Sequence, residues 1–271
     1  MSTNKIAWLT DIHLNFIKND ARNKFYQSIS KTDADAILIT GDIAEATDLC
    51  EILSEFSTQT KMPIYFVLGN HDYYSGSVAN VRERILKLCA ENINLIWLGK
   101  PEIIPLNDHT VLVGHDGWAD GRYGDFDHST VTLNDSRLIA ELFQAFLLNK
   151  KSLKNEMQRL ADVDAKTLEQ TLTQAININI KKIIIATHVP PFPECSLHKG
   201  KQSDPNWLPY FSSKATGDVI SVFAQKNPAI SILVLCGHTH SNALFKPSKN
   251  LEIKAGRAQY YSPKLQEIID I

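Results

Sequence analysis

The chain's most constraining feature is a repeated unit: a short apolar, largely β-branched run that ends in a polar cluster. Ile6–Thr10 runs into Asp11, Ala36–Thr40 into Gly41-Asp42, and Ile64–Leu68 into Gly69-Asn70-His71-Asp72. Val111–Val113 runs into Gly114-His115-Asp116, Ile183–Thr187 into His188, and Ile230–Cys236 into Gly237-His238-Thr239-His240. Runs this short, apolar at successive positions and bounded by turn residues, read as strands buried on both faces of a sheet. Between them, Ala21–Ser30, Ala46–Phe56 and Val78–Ala90 carry apolar residues at helical spacing. Alternating strand and helix predicts an α/β fold with several parallel strands.

Leu251–Ala255 and Gln259–Tyr261 read as further strands, so part of the sheet is expected to be antiparallel. From Asp125 to Val189 there is neither Gly nor Pro. Asn134 or Asp135 caps an expected helix running to about Leu160, and Asp164 another running to about Asn177. This stretch, around 134–180, is expected to be a helical insertion that packs on the body; a lid or a partner surface is the sharper alternative. No repeat or Pro/Ser-rich linker divides the chain, which reads as one domain over residues 1–271.

Charge narrows the function classes. Twenty-eight Lys and Arg stand against 30 Asp and Glu, a net charge of −2. A broad nucleic-acid surface needs a basic excess, and an acidic disordered tail needs the opposite. Cys50, Cys89, Cys195 and Cys236 form no CxxC pair, so neither a disulfide scaffold nor a cysteine zinc site is expected. No apolar run approaches the roughly 20 residues that span a membrane. The opening MSTNKIAWLTDIH lacks a secretory apolar stretch, making the cytoplasm the default location.

In open α/β sheets, ligands bind outside the carboxyl ends of the strands. Asp11, His13, Asp42, Asn70, His188, His238 and His240 are therefore predicted to converge on one sheet edge. In extended chain, residues two apart face the same side, which would aim Asp11 with His13 and His238 with His240. Gly41, Gly69 and Gly237 each precede a candidate ligand and permit close approach. Imidazole, carboxylate and amide donors suit Mn, Fe, Zn, Co or Ni. They are too many for one tetrahedral site. Two divalent metals sharing Asp42 is the economical arrangement. Two such cations outweigh Asp11, Asp42 and a bridging hydroxide by one unit of charge, enough to attract an anion.

The ordered set Asp11-Ile12-His13, Gly41-Asp42, Gly69-Asn70-His71-Asp72, His188 and Gly237-His238-Thr239-His240 resembles the calcineurin-like metallophosphoesterases. The segment Thr187-His188-Val189-Pro190-Pro191 also looks like this family's histidine motif. The resemblance implies a four-layer α/β/β/α sandwich of two mixed sheets flanked by helices, with a dinuclear metal centre. It implies that Asp11, His13, Asp42 and His240 hold one metal, and Asp42, Asn70, His188 and His238 the other. His71 would face the substrate, with Asp72 or a nearby carboxylate orienting its ring. A hydroxide bridging the metals would attack phosphorus in line. Phosphodiesters are favoured over monoesters, and a non-catalytic scaffold on the same fold is the remaining alternative.

The loop 114–124 is rich in Gly and aromatics and should leave the sheet on the metal side. Trp118 or Tyr123 would stack on a substrate ring, Arg122 would fork onto phosphate, and His115 stands beside them. The prolines after His188 stiffen a rim that carries His198 and Lys199. The expected partner is a small phosphorylated substrate, with no membrane and no broad nucleic-acid surface.

Overall fold

A computed structural model describes residues 3–176 and 179–271. From the N-terminus, β1 (Lys5–Leu9), α1 (Asn19–Ser30), β2 (Ala36–Thr40), α2 (Leu49–Thr60), β3 (Ile64–Val67), α3 (Val78–Glu91) and β4 (Leu95–Trp97) alternate. Strands β5 (Ile104–Pro105) and β6 (Thr110–Gly114) precede α4 (Asp135–Leu138), α5 (Ala140–Leu148) and α6 (Lys150–Ala175). Then come β7 (Lys182–Ala186), a small hairpin of β8 (Leu197–His198) and β9 (Lys201–Gln202), and α7 (Lys214–Lys226). The chain closes with β10 (Ser231–Cys236), β11 (Ala243–Ser248), β12 (Leu251–Ala255) and β13 (Glu267–Asp270).

Two mixed sheets result, ordered β13-β1-β2-β3-β4 and β11-β12-β10-β7-β6-β5. Their interiors are parallel, and the edge strands β13, β11 and β5 are antiparallel. Strand alternation explains the stacking. Ile6, Trp8, Leu38, Tyr65 and Val67 face the second sheet, where they pack with Leu112, Ile184, Ala186 and Leu235. Their neighbours Ala7, Leu9, Ile37, Ile39 and Phe66 point the other way, onto Tyr26, Ile29, Leu53 and Phe56 of α1 and α2. On the outer face of the second sheet, Val113, Ile183, Ile185 and Val234 meet Leu168 and Leu172 of α6 and Ile220 of α7. The layers are therefore helix, sheet, sheet, helix. No described helix is long and apolar enough to cross a membrane.

The helical insertion differs from its expected boundaries. The first expected helix is broken at Ile139, which is extended (φ −105°, ψ 121°) and fully buried. There Ser75 N–H donates to the Leu138 carbonyl at 2.8 Å, and Ala140 N–H to that of Gly76 at 3.0 Å. Asn149 then caps α6 by accepting from Ser152 N at 2.8 Å. Helix α6 runs unbroken for 26 residues through Asp164, a length of about 39 Å. Asp164 is no cap; it is buried and bonds Arg82 at 2.9 Å. The expected end at Asn177 lies outside the described residues. Gln259–Tyr261 is not a strand either: Tyr261 is left-handed (φ 65°) in a turn, and the closing strand comes later, at β13.

Arg82 also holds Asp116, the hub of the buried polar network. Asp116 Oδ1 accepts from Leu68 N and Trp97 Nε1, both at 2.8 Å. Its Oδ2 accepts from Tyr73 OH at 2.6 Å and Arg82 at 2.8 Å. Removing one partner of a buried ion pair strands the other charge, at about 3–5 kcal/mol. Asp116→Ala is therefore expected to cost at least about 3 kcal/mol, read as a lowered Tm in thermal unfolding.

Candidate metal centre

The candidate ligands follow the carboxyl ends of strands in both sheets: Asp11 after β1, Asp42 after β2, Asn70 after β3, His188 after β7, His238 and His240 after β10. The route by which they converge is not the extended one expected. Asp11 (φ 49°), His13 (41°), Asp42 (54°), His238 (70°) and His240 (54°) are all left-handed. This conformation is costly for residues with a Cβ, least so for Asp, Asn and His. Sharp left-handed turns, not strand alternation, bring the side chains round. Space is as tight as the glycines implied. A Cβ on Gly69 would lie 2.2 Å from Asp42 Oδ1, and Gly41 (φ 88°) would place one 2.5 Å from His188 Nδ1.

Two donor sets meet. In the first, donor atoms of Asp11, His13, Asp42 and His240 all lie within 4.8 Å of one another. His13 Nε2 is 3.3 Å from His240 Nε2 and 3.7 Å from Asp42 Oδ2, and His240 Nε2 is 3.4 Å from Asp11 Oδ1. In the second, His188 Nε2 is 3.4 Å from Asp42 Oδ1 and 3.1 Å from Asn70 Oδ1. His238 Nδ1 is 2.9 Å from the same amide oxygen. Asp42 thus shows one oxygen to each set. The rings are fixed from behind: His188 Nδ1 lies 2.9 Å from the Thr40 carbonyl and His238 Nε2 2.9 Å from that of Tyr210. Such backing carbonyls orient ligating imidazoles.

The electrostatics favour a cation. Burial pushes His13 down to about 4, leaving it neutral and able to ligate. Burial opposes ionisation of Asp42, but His188 and His71 hold its carboxyl well below the usual range. Burial likewise opposes charge on His188, yet the Asp42 carboxylate raises it to about 10, so its ring carries a proton that a bound cation would have to displace. Two ionised carboxylates, buried together among imidazoles, draw positive charge inward.

His71 faces the cleft. Its backbone N–H donates to Asp42 Oδ1 at 2.9 Å, its ring lies 4.2 Å from that of Tyr74, and Nε2 is 3.4 Å from Tyr260 OH. Asp72 does not orient that ring, contrary to expectation. It is fully buried, and its oxygens accept from the backbone of Ile43, Ala44 and Gly69, each at 2.8 Å. Asp72 ties the loops after β2 and β3 together.

The loop 114–124 also departs from expectation, since none of its residues lines the metal cleft. Left-handed Gly117, Gly121 and Gly124 turn it inward, and Gly121 N–H donates to the Pro209 carbonyl at 3.0 Å. His115 is 1% exposed, and Trp118 packs 5.0 Å from Tyr73. Arg122 is held by Asp120 at 3.0 Å and Asp162 at 2.8 Å. Tyr123 stays with that loop, away from the cleft.

The cleft, of about 820 Å³, is walled instead by Tyr74 and Asp135, by His198 and Lys201 of the β8–β9 hairpin, by Trp207 and Phe211, and by Tyr260. Lys199 is not among its lining residues. Asp135 was legible only as a helix cap. It accepts from Asn70 Nδ2 at 2.9 Å and Tyr74 OH at 2.6 Å, so it sets which way the amide points. Tyr260 stood in an apparent strand; its ring lies 4.6 Å from His13.

Residues 4–242 match the family model of the calcineurin-like phosphoesterases. A UDP-2,3-diacylglucosamine hydrolase from Shewanella loihica is 31% identical over 114 residues, 37% of this chain and 46% of that protein. A transmembrane protein with metallophosphoesterase domain from Bos taurus is 31% identical over 84 residues, 30% of this chain and 19% of that protein. The chain thus spans less than half the length of either relative. Among solved structures, a phosphopantetheinyl hydrolase from Mycobacterium tuberculosis superposes with a TM-score of 0.64 at 10% identity, covering 96% of this chain and 90% of that one. A dimetal phosphatase from Danio rerio gives 0.60 at 11% identity, covering 95% and 88%. At these identities the two structures speak for the fold alone.

Proposed function

Because the chain belongs to the calcineurin-like phosphoesterase family, we propose that it hydrolyses phosphate esters with two divalent cations, phosphodiesters ahead of monoesters. The observation that carries this reading is the Asp42 carboxylate, with Oδ2 3.7 Å from His13 and Oδ1 3.4 Å from His188. The donors suit Mn, Fe, Zn, Ni or Co. Asp11, His13, Asp42 and His240 would hold one cation, and Asp42, Asn70, His188 and His238 the other. Cations bound there would polarise phosphoryl oxygens and bring a water pKa from 15.7 to roughly 7.

The chain's own residues do the rest. Asp42 and Asp11 supply the buried negative charge, and Asp135 turns the Asn70 oxygen toward His188 and His238. His71 stands on the cleft side, placed to give a proton to the oxygen that departs when the P–O bond breaks. The cleft supports the diester preference. Tyr74, Asp135, Lys201 and Trp207 line it beside the candidate ligands, surface enough for organic groups as well as a phosphate. Its size is that of a site for a whole small molecule. The four free cysteines fit the reducing cytoplasm.

The test is a matrix of Mn, Fe, Zn, Ni and Co against a chromogenic monoester, the matching diester, cyclic nucleotides and short nucleic acids. Metal-dependent turnover, faster on the diester, is expected. Faster monoester turnover under every metal would make the chain a phosphomonoesterase, and metal binding without any hydrolysis a scaffold. Chelation is expected to abolish activity and lower the Tm, both restored by the cation. Asp135→Ala frees the Asn70 amide and is expected to weaken the second cation by about 10- to 100-fold, read by calorimetric titration with Mn²⁺.

A further inference from the structure

The carboxylate expected to orient the His71 ring, Asp72, is tied instead to the backbone of two loops. Another group must fix that ring. Rotation about χ2 of a histidine is broad and roughly two-fold, and a half-turn exchanges Nε2 for Cε1. The ring of Tyr74 lies 4.2 Å away at 32°, and that of His13 meets it edge-on at 4.7 Å. Such contacts hold the plane of the imidazole, not the edge that carries nitrogen. Nδ1 is buried and has no partner, so Nε2 is the nitrogen the ring can present to the cleft.

One hydrogen bond breaks the two-fold symmetry. Tyr260 OH lies 3.4 Å from Nε2 and is the one hydrogen-bonding partner of the ring among the described residues. Hydrogen bonds that serve catalysis are often long before substrate binds and tighten with it. Tyr260 is itself held, in the segment between β12 and β13. Its ring lies 4.6 Å from that of His13, 5.0 Å from that of His240, and edge-on to Phe16 at 5.4 Å. Gln266 braces the segment, accepting from Arg257 N–H and donating to the Arg257 carbonyl, both at 2.9 Å. Tyr260 is exposed and lines the cleft with His71.

We propose that Tyr260 is the positioning residue of His71. Its hydroxyl oxygen accepts from Nε2–H, selects the ring orientation that turns this nitrogen to the cleft, and keeps the proton there until the departing oxygen takes it. In that step the P–O bond breaks, the oxygen takes the Nε2 proton, and the N–H electron pair stays on the ring nitrogen. The proposal rests on the phosphoesterase reading for the departing oxygen, not for the contact.

Tyr260→Phe tests it on the full chain, since it removes the hydroxyl and keeps the ring that packs on Phe16 and His13. With Mn²⁺, kcat on an unactivated alkyl diester should fall about three- to tenfold, the worth of one net hydrogen bond, with KM and metal content those of the parent. Turnover of the p-nitrophenyl diester, whose departing oxygen scarcely needs a proton, should change by less than about twofold. A double-mutant cycle separates positioning from packing: in a His71→Ala background, Tyr260→Phe should cost nothing further on the alkyl diester. A tyrosine that only packs would lose the same factor with or without His71. That additivity, an equal loss on both esters, or parental turnover overturns the proposal. A second readout needs no turnover. On the Zn²⁺-loaded chain, nitrogen-15 NMR should show the His71 ring resonances displaced in Tyr260→Phe, and identical ring resonances overturn the contact. Displaced resonances with no ester hydrolysed under any metal would instead sink the catalytic reading and leave the contact standing.

Discussion

Asp42→Asn is expected to lower kcat by at least about 10³-fold and to release one or both cations, with the fold intact. Size and shape are kept, so packing does not suffer. What goes is charge and one acceptor. Asp42 shows Oδ2 to His13 and Oδ1 to His188, and Oδ1 also accepts from His71 N–H. An amide keeps one oxygen. Its NH₂ must then face either His13 or His188, where a donor repels a cation. Loss of a single preorganised electrostatic contact costs about 10²–10³ in turnover, and here both donor sets lose their common member. Metal content and kcat measured on the same preparation check it. Two equivalents of metal with turnover within tenfold of the parent would refute the shared role.

How far the sequence could be read depended on which physical rule decided each residue. Strand alternation decides the layers, and it is visible in Ile6-Ala7-Trp8-Leu9, where odd and even positions go to different cores. The end of a buried strand decides where Asp11, Asp42, Asn70, His188 and His238 stand, which is why they were legible. Backbone hand was not. Five of the seven candidate ligands are left-handed, a choice made by the packing around them rather than by their neighbours in sequence. Strain of this kind persists where the surroundings over-determine it, and it gathers at functional sites.

The loop 114–124 misled for a related reason. Following a strand end, it is expected to leave the sheet on the metal side together with its glycines. They instead let the chain fold under the insertion, where Arg122 finds Asp120 and Asp162. Long-range partners chose the direction, and no local pattern encodes them. The same holds for Asp164. It lies inside α6, and its side chain reaches Arg82, far away in sequence, instead of capping a helix. Asp135 and Tyr260 reach the metal cleft through tertiary packing alone.

His71→Ala separates the cation site from the chemistry performed beside it. The link from position 71 to Asp42 is a backbone N–H bond of 2.9 Å, which alanine retains. Metal content should therefore equal that of the parent. What disappears is the ring beside Tyr74 and Tyr260, and with it, in the proposed mechanism, the proton for the departing oxygen. General acid catalysis contributes about 10²–10⁴ in rate, but only where the leaving group needs a proton. An alkoxide does; a p-nitrophenolate, stable at neutral pH, scarcely does. The variant should lose about 10²–10⁴ in kcat on an unactivated alkyl diester and less than about tenfold on the p-nitrophenyl diester. An equal loss on both would make His71 a stabiliser of phosphoryl charge rather than a proton donor. Full activity on the alkyl ester would remove it from the mechanism.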